Sequence, residues 1–138
     1  MKTSILISIL IFSVSVCFAQ DMNPSDMGTP DILFEQTTID LGTISENSNP
    51  LIIFKFTNTG TSPLLLKLVK PSCGCTVAKW PRQPIAAGES GEITATFSTR
   101  GSAGKFVSKY IYVTTNINEN GKDKVITLIF KGQVEAVK

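Results

Sequence analysis

Between Leu51 and Thr57 the chain alternates. Ile52, Phe54 and Phe56 share one face of an extended segment, and Lys55 and Thr57 share the other. Side chains of a strand point to opposite faces with a period of two, so this segment is predicted to bury one face against a second sheet. The pattern recurs along the chain. Ile93, Ala95 and Phe97 alternate with Thr94 and Thr96. Leu64, Leu66 and Leu68 are expected on one face, with Leu65, Lys67 and Val69 opposite. Lys105–Thr115 reads as the longest strand, with Val107, Ile111 and Val113 inward and Tyr110 and Tyr112 outward. Lys124–Val134 closes the series with Ile126, Leu128 and Phe130 inward. Beyond the N-terminal leader, no helix-length stretch carries a 3.6-residue period.

Turn chemistry separates these runs. It occurs at Glu46–Pro50, Asn58–Pro63, Ala87–Gly91, Gly101–Gly104 and Asn116–Lys122, the last read as a polar hairpin loop. Gly60 is expected to supply a positive φ in the second of these turns. Ile32–Phe34 starts the first strand, and Thr38–Gly42 continues it after a kink. Thr76–Trp80 reads as a short edge strand, followed by Pro81 and Pro84, neither of which can donate to a central ladder. About seven antiparallel strands in roughly a hundred residues indicate an all-β, immunoglobulin-like β-sandwich over residues 31–138. Two features of antibody domains are missing: a cysteine pair spaced to join the sheets, and a tryptophan in a core strand. Packing of Phe54, Phe56, Phe97, Phe130 and the Leu64/Leu66/Leu68 stripe must then hold the sheets together.

The first nineteen residues have a different character. Lys2 is followed by an uncharged run to Phe18, too short and too interrupted by serine for a membrane span. Cys17-Phe18-Ala19 places small side chains at the −3 and −1 positions of a signal peptidase site, with Gln20 as the new N-terminus. The reading is a signal peptide over residues 1–19 and a flexible tail over 20–30, leaving a mature chain with no transmembrane segment. Cys17 also suggests a lipoprotein signal, but Val16 stands just before it where such a signal wants a small Gly, Ala or Ser, and a periplasmic or secreted protein is the preferred reading.

Charge and composition exclude several functions. The net charge is +2, one unit less once Lys2 is removed. That is too little for nucleic-acid capture, which rests on many neutralised phosphates. Histidine is absent, which removes the commonest general base and metal ligand together. Glu89 and Glu92 sit in or beside a turn, and a solubilising role explains them better than acid–base catalysis. The chain is therefore read as not an enzyme, with no cofactor.

Several motifs together resemble a known family. These are Phe54-x-Phe56-x-Asn58-Thr59-Gly60-x-x-Pro63-Leu64, Ser72-Cys73-Gly74-Cys75-Thr76, Ile85-Ala86-Ala87-Gly88-Glu89, Gly104, Val113, Thr115-Asn116 and Leu128-x-x-Lys131-Gly132. The resemblance is to the bacterial exported family called domain of unknown function 1573, and it runs from Ile32 to Val134. It implies an immunoglobulin-like sandwich akin to sperm-protein, cilia-associated and pilus-chaperone domains, usually with a signal peptide or lipid anchor. It implies no established activity. One departure is Leu41 before Gly42, where the family more often has Phe.

Cys73 and Cys75 are the only thiols of the mature chain. Two residues apart on a strand, their sulfurs would lie on one face. Three readings follow. In the first, an exported chain oxidises them to a local disulfide, for which Gly74 must bend, since a flat strand holds the Cα atoms near the upper limit for a bridge. In the second they form a redox-active dithiol, because a small strained ring is readily reduced, with Lys70 and Lys79 as candidates to lower a thiol pKa. In the third they hold a soft metal such as Cu(I) or Zn(II), whose remaining ligands would come from a second protomer or from Met22 and Met27. The leading functional reading is a structural or binding module for an envelope or extracellular protein, and the alternative is redox or metal handling at Cys73 and Cys75.

Overall fold

A computed structural model describes residues 28–138. The expected signal peptide, the Ala19–Gln20 cleavage site, Cys17 and the tail up to Met27 lie outside the described residues. The alternating segments become eight strands: β1 (Leu33–Phe34), β2 (Thr38–Ser45), β3 (Leu51–Thr57), β4 (Leu66–Pro71), β5 (Thr76–Lys79), β6 (Ser90–Phe97), β7 (Phe106–Glu119) and β8 (Lys122–Glu135). They form two four-stranded sheets, ordered β1-β3-β6-β5 and β2-β8-β7-β4.

The inward residues of β3, β6, β7 and β8 fall where their alternation places them. Ile52, Phe54, Phe56, Ile93, Ala95, Phe97, Val107, Ile111, Val113, Leu128 and Phe130 are buried in one core, and Ile126 packs against it half-buried. Tyr110 and Tyr112 are exposed on the outer face. Phe97 and Phe130 meet between the sheets, with ring centroids 5.5 Å apart and planes tilted by 57°, an arrangement aromatic pairs favour. Phe34 and Phe56 form a second tilted pair at 5.6 Å. Burial of this kind stabilises by about 1.5–3 kcal/mol per large apolar side chain.

Four local features differ from the sequence reading. First, the segment read as one kinked strand is two strands in different sheets. β1 pairs antiparallel with β3, whereas β2 pairs parallel with β8, so the sandwich is not wholly antiparallel. A bulge between Asp40 and Thr43 bends β2, with Gly42 at φ +63° and its N–H donating to the Asp40 carboxylate at 2.9 Å. Second, Leu68 is exposed and Val69 is buried, reversing their expected faces. A register shift between Leu66 and Leu68 inserts an extra residue and flips everything after it. Third, the Asn116–Lys122 loop is mostly strand. β7 and β8 continue to a two-residue turn at Asn120-Gly121, both with positive φ (54° and 82°), the geometry favoured for tight hairpins. Fourth, Gly60 does not have a positive φ. Its lack of a side chain is needed because a Cβ there would run into the backbone of Thr29–Asp31.

Candidate functional site

Two places on the rim of the sandwich carry unusual chemistry, and they flank the same strand. The first is the crossover from β4, an edge of one sheet, to β5, an edge of the other. Ser72-Cys73-Gly74-Cys75 makes this crossover as a bend and turn. The turn brings the Cys73 and Cys75 Cα atoms to 5.3 Å, with their sulfurs at disulfide-bonding distance. The bend expected at Gly74 is present, and the flat-strand geometry that would have opposed a bridge is not. Both cysteines are half-buried and Gly74 is exposed.

The flanks of the turn are anchored by main-chain bonds. Ser72 N–H donates to Tyr110 O at 2.8 Å, and Tyr110 N–H donates to the Ser72 hydroxyl at 3.2 Å. Beyond the turn, Ser98 N–H donates to Cys75 O at 2.9 Å. The polar neighbour of the Cys73 sulfur is the Thr76 hydroxyl at 3.8 Å, on a residue only 6% exposed. Sequence reading put Lys70 and Lys79 in that role. Lys70 lies opposite Tyr112 in β4 and Lys79 ends β5 opposite Thr94, and the Thr76 hydroxyl is a neighbour of Cys73 that the sequence reading did not single out. Sulfurs bonded to each other offer no thiolate to a metal. Among the described residues no group of three or more His, Cys, Asp or Glu side chains is placed to hold one.

The second place is the edge beyond the end of β5. The edge of β4 is capped at its start by a side chain. Trp80 Nε1 donates to Leu66 O at 3.2 Å, and the Arg82 guanidinium sits 3.7 Å from the centre of the Trp80 ring. β5, by contrast, stops at Lys79 opposite Thr94, while β6 begins four residues earlier, at Ser90. Peptide groups along an antiparallel pair face the partner at every second residue. The Ser98–Cys75 bond sets that phase, and it continues through Thr96 and Thr94 to Glu92 and Ser90, which have no strand opposite on this side among the described residues. A shallow groove there is lined by Lys79, Trp80, Pro81, Ile85, Gly91 and Glu92. The floor of the groove is set by Gly91, where a Cβ would lie 2.7 Å from the Phe56 ring of β3. The Glu89 and Glu92 side chains are both exposed, Glu89 in a turn and Glu92 on a strand.

The Asn58-Thr59-Gly60 motif serves the frame rather than either place. Asn58 is fully buried, and its Nδ2 donates to Ser62 O and Ile85 O, both at 2.9 Å. Its Oδ1 accepts from Gly60 N–H at 3.0 Å and Asp31 N–H at 3.4 Å. This one amide ties three loops together and satisfies its own hydrogen-bonding capacity.

Residues 32–134 match the family described as protein of unknown function DUF1573. The chain belongs to that family. No curated protein shows a significant sequence match. Among solved structures it is similar to a protein of unknown function from Porphyromonas gingivalis W83, at 18% identity and a TM-score of 0.61, covering 76% of this chain and 47% of that one. The chain thus spans about half the length of that relative. It is also similar to PapD-like domain 7 of human CEP192, at 13% identity and a TM-score of 0.62, covering 100% of this chain and 99% of the other. A third likeness is to the chaperone–tip adhesion subunit pre-assembly complex CsuC–CsuE of Acinetobacter baumannii, at 14% identity and a TM-score of 0.55, covering 75% and 57%. Protease and glycoside hydrolase chains also match, but this chain covers only 23–31% of them. At these identities the likeness shows the fold, a β-sandwich, and no activity.

Proposed function

We propose that this DUF1573 protein is an exported, non-enzymatic module that binds a protein of the cell envelope or its exterior by taking an extended segment of that partner alongside β6. The open stretch Ser90–Ile93 carries this reading. Its main-chain groups at Ser90 and Glu92 face the groove, and strand addition satisfies such groups with the partner's own backbone. Trp80, Pro81 and Ile85 offer apolar surface for alternate side chains of the added segment, and Lys79 and Glu92 offer charges at its ends. Support by analogy comes from the chaperone of the CsuC–CsuE complex, which shares the fold and is paired there with a pilus subunit. Export rests on the signal-peptide pattern at Cys17-Phe18-Ala19, and purified protein from its native compartment should begin at Gln20.

The test uses a photoreactive residue in place of Ser90, in cells. Glu92 faces the groove rather than β3 with its N–H, so Glu92→Pro removes a donor from the groove and none from the sheet. The expected result is one defined crosslinked partner that disappears in the Glu92→Pro background, with the thermal midpoint of the protein almost unchanged. A crosslink that survives Glu92→Pro would overturn the strand-addition mode.

A further inference from the structure

We propose that the Cys73–Cys75 bridge is a thiol–disulfide exchange site whose substrates are dithiols, rather than a staple of the fold. A bridge stabilises a fold mainly by removing freedom from the unfolded chain, and the effect grows with the loop it closes. This one closes the shortest of loops, over Gly74 alone, and joins no two strands. The bonds that fix the crossover run through Ser72, Tyr110, Cys75 O and Ser98 and use no sulfur, so they hold the same backbone in either redox state. The site also lies on the rim with Gly74 exposed, no atom other than those of its two neighbours lies within 4 Å of the position a Gly74 Cβ would take, and both cysteines are only half-buried, Cys75 on the side that packs against the core.

A second observation is independent of exposure. The Thr76 hydroxyl is buried at the start of β5, and its hydrogen-bonding neighbour among the described residues is the Cys73 sulfur. A hydroxyl donor stabilises a thiolate more than a neutral sulfur, and a better-stabilised thiolate leaves faster. That assigns the order of events. A substrate thiolate attacks the Cys75 sulfur, and a mixed disulfide forms as the Cys73–Cys75 bond breaks. The electron pair goes to Cys73, held as thiolate by Thr76 and then protonated from solvent. The second thiol of the substrate, as thiolate, attacks its own sulfur in the mixed disulfide and releases Cys75. The substrate ends oxidised to a disulfide, and Cys73 and Cys75 end as two thiols, a transfer of two electrons. The reaction is stoichiometric and does not depend on the groove beside β6.

The test equilibrates the purified oxidised protein with glutathione buffers of graded ratio, followed by acid quench, alkylation and mass analysis. The synthetic pentapeptide of residues 72–76 serves as the comparator. The expected result is reduction over the same range of buffers as the pentapeptide, with the glutathione adduct mapped to Cys75. Thr76→Val keeps the shape of the side chain and is expected to slow reduction about tenfold without moving the thermal midpoint. In the Cys75→Ser variant, the same Thr76 change should shift the alkylation of Cys73 to higher pH. A bridge that stays oxidised in every buffer that reduces the pentapeptide would overturn the proposal and leave a static cross-link. An adduct on Cys73, or indifference to Thr76→Val, would overturn the order of attack.

Discussion

Asn58 shows how much a single polar side chain can hold. Its amide donates to Ser62 O and Ile85 O and accepts from Gly60 N–H, and alanine would leave Ser62 O and the Gly60 N–H without their partner, while Ile85 O keeps the Leu64 N–H at 2.8 Å. Each buried group left unsatisfied costs about 1–3 kcal/mol, so Asn58→Ala should lower stability by about 2–4 kcal/mol in a denaturant titration. Asp at the same position has no donor for either carbonyl and should not restore the loss. Gly91 imposes a steric demand instead. Its missing side chain is the space taken by Phe56, so Gly91→Ala must displace a fully buried ring. Overpacking of this kind costs about 1–3 kcal/mol, measurable by thermal unfolding. Phe56→Ala removes the ring itself and should cost about 3–5 kcal/mol. The double variant Gly91→Ala/Phe56→Ala should be more stable than the sum of the singles allows, because the clash vanishes with the ring.

At the scale of elements, the edges differ in how they are finished. β1 is only two residues long, and β4 is capped at its first carbonyl, Leu66 O, by Trp80. β2 is bent by its bulge at Gly42, a device that discourages pairing of an edge with another chain. Among the described residues, Ser90–Ile93 lacks a neighbour on one side, as does Leu51–Phe54 of β3 beyond the end of β1; the binding proposal rests on the former because the groove of Trp80, Pro81 and Ile85 flanks it. The β7–β8 hairpin makes a separate prediction. Asn120 and Gly121 both have positive φ, and residues with a Cβ other than Asn pay about 1–2 kcal/mol for that conformation. Replacing Asn120-Gly121 with Ala-Ala should therefore destabilise the hairpin end, seen as faster amide exchange at Asn118 and Asp123 before any global unfolding.

For the molecule as a whole, the two sheets are held together by packing. The described residues contain one disulfide, and it joins no two strands. The Cys73→Ser/Cys75→Ser variant should thus lose about 2 kcal/mol or less, a smaller loss than Asn58→Ala or Phe56→Ala produces. The strand pairings are far apart in sequence, Thr38 lying opposite Ile129 and Leu33 opposite Thr57. Loop closure must precede such contacts, so refolding followed by tryptophan fluorescence should take milliseconds to seconds.

The alternation in β3, β6 and β8 made the all-β fold and most of its core legible, because burial of one strand face imposes a period of two that no helix can share. The Ser72–Thr76 motif likewise marked the cysteine pair, since two cysteines around a single glycine stand out in any chain with so few thiols. The face of Leu68 was not legible, since one bulged residue inverts the phase and leaves no trace in hydropathy. The parallel pairing of β2 with β8 was hidden too, as the choice of neighbour depends on which sheet the chain joins after β1. The Thr76 hydroxyl beside Cys73 and the unpaired groups of Ser90 and Glu92 were equally invisible. Both arise where one strand ends against another, and local side-chain pattern determines how a strand faces, while only the assembled sheets determine where its neighbour stops.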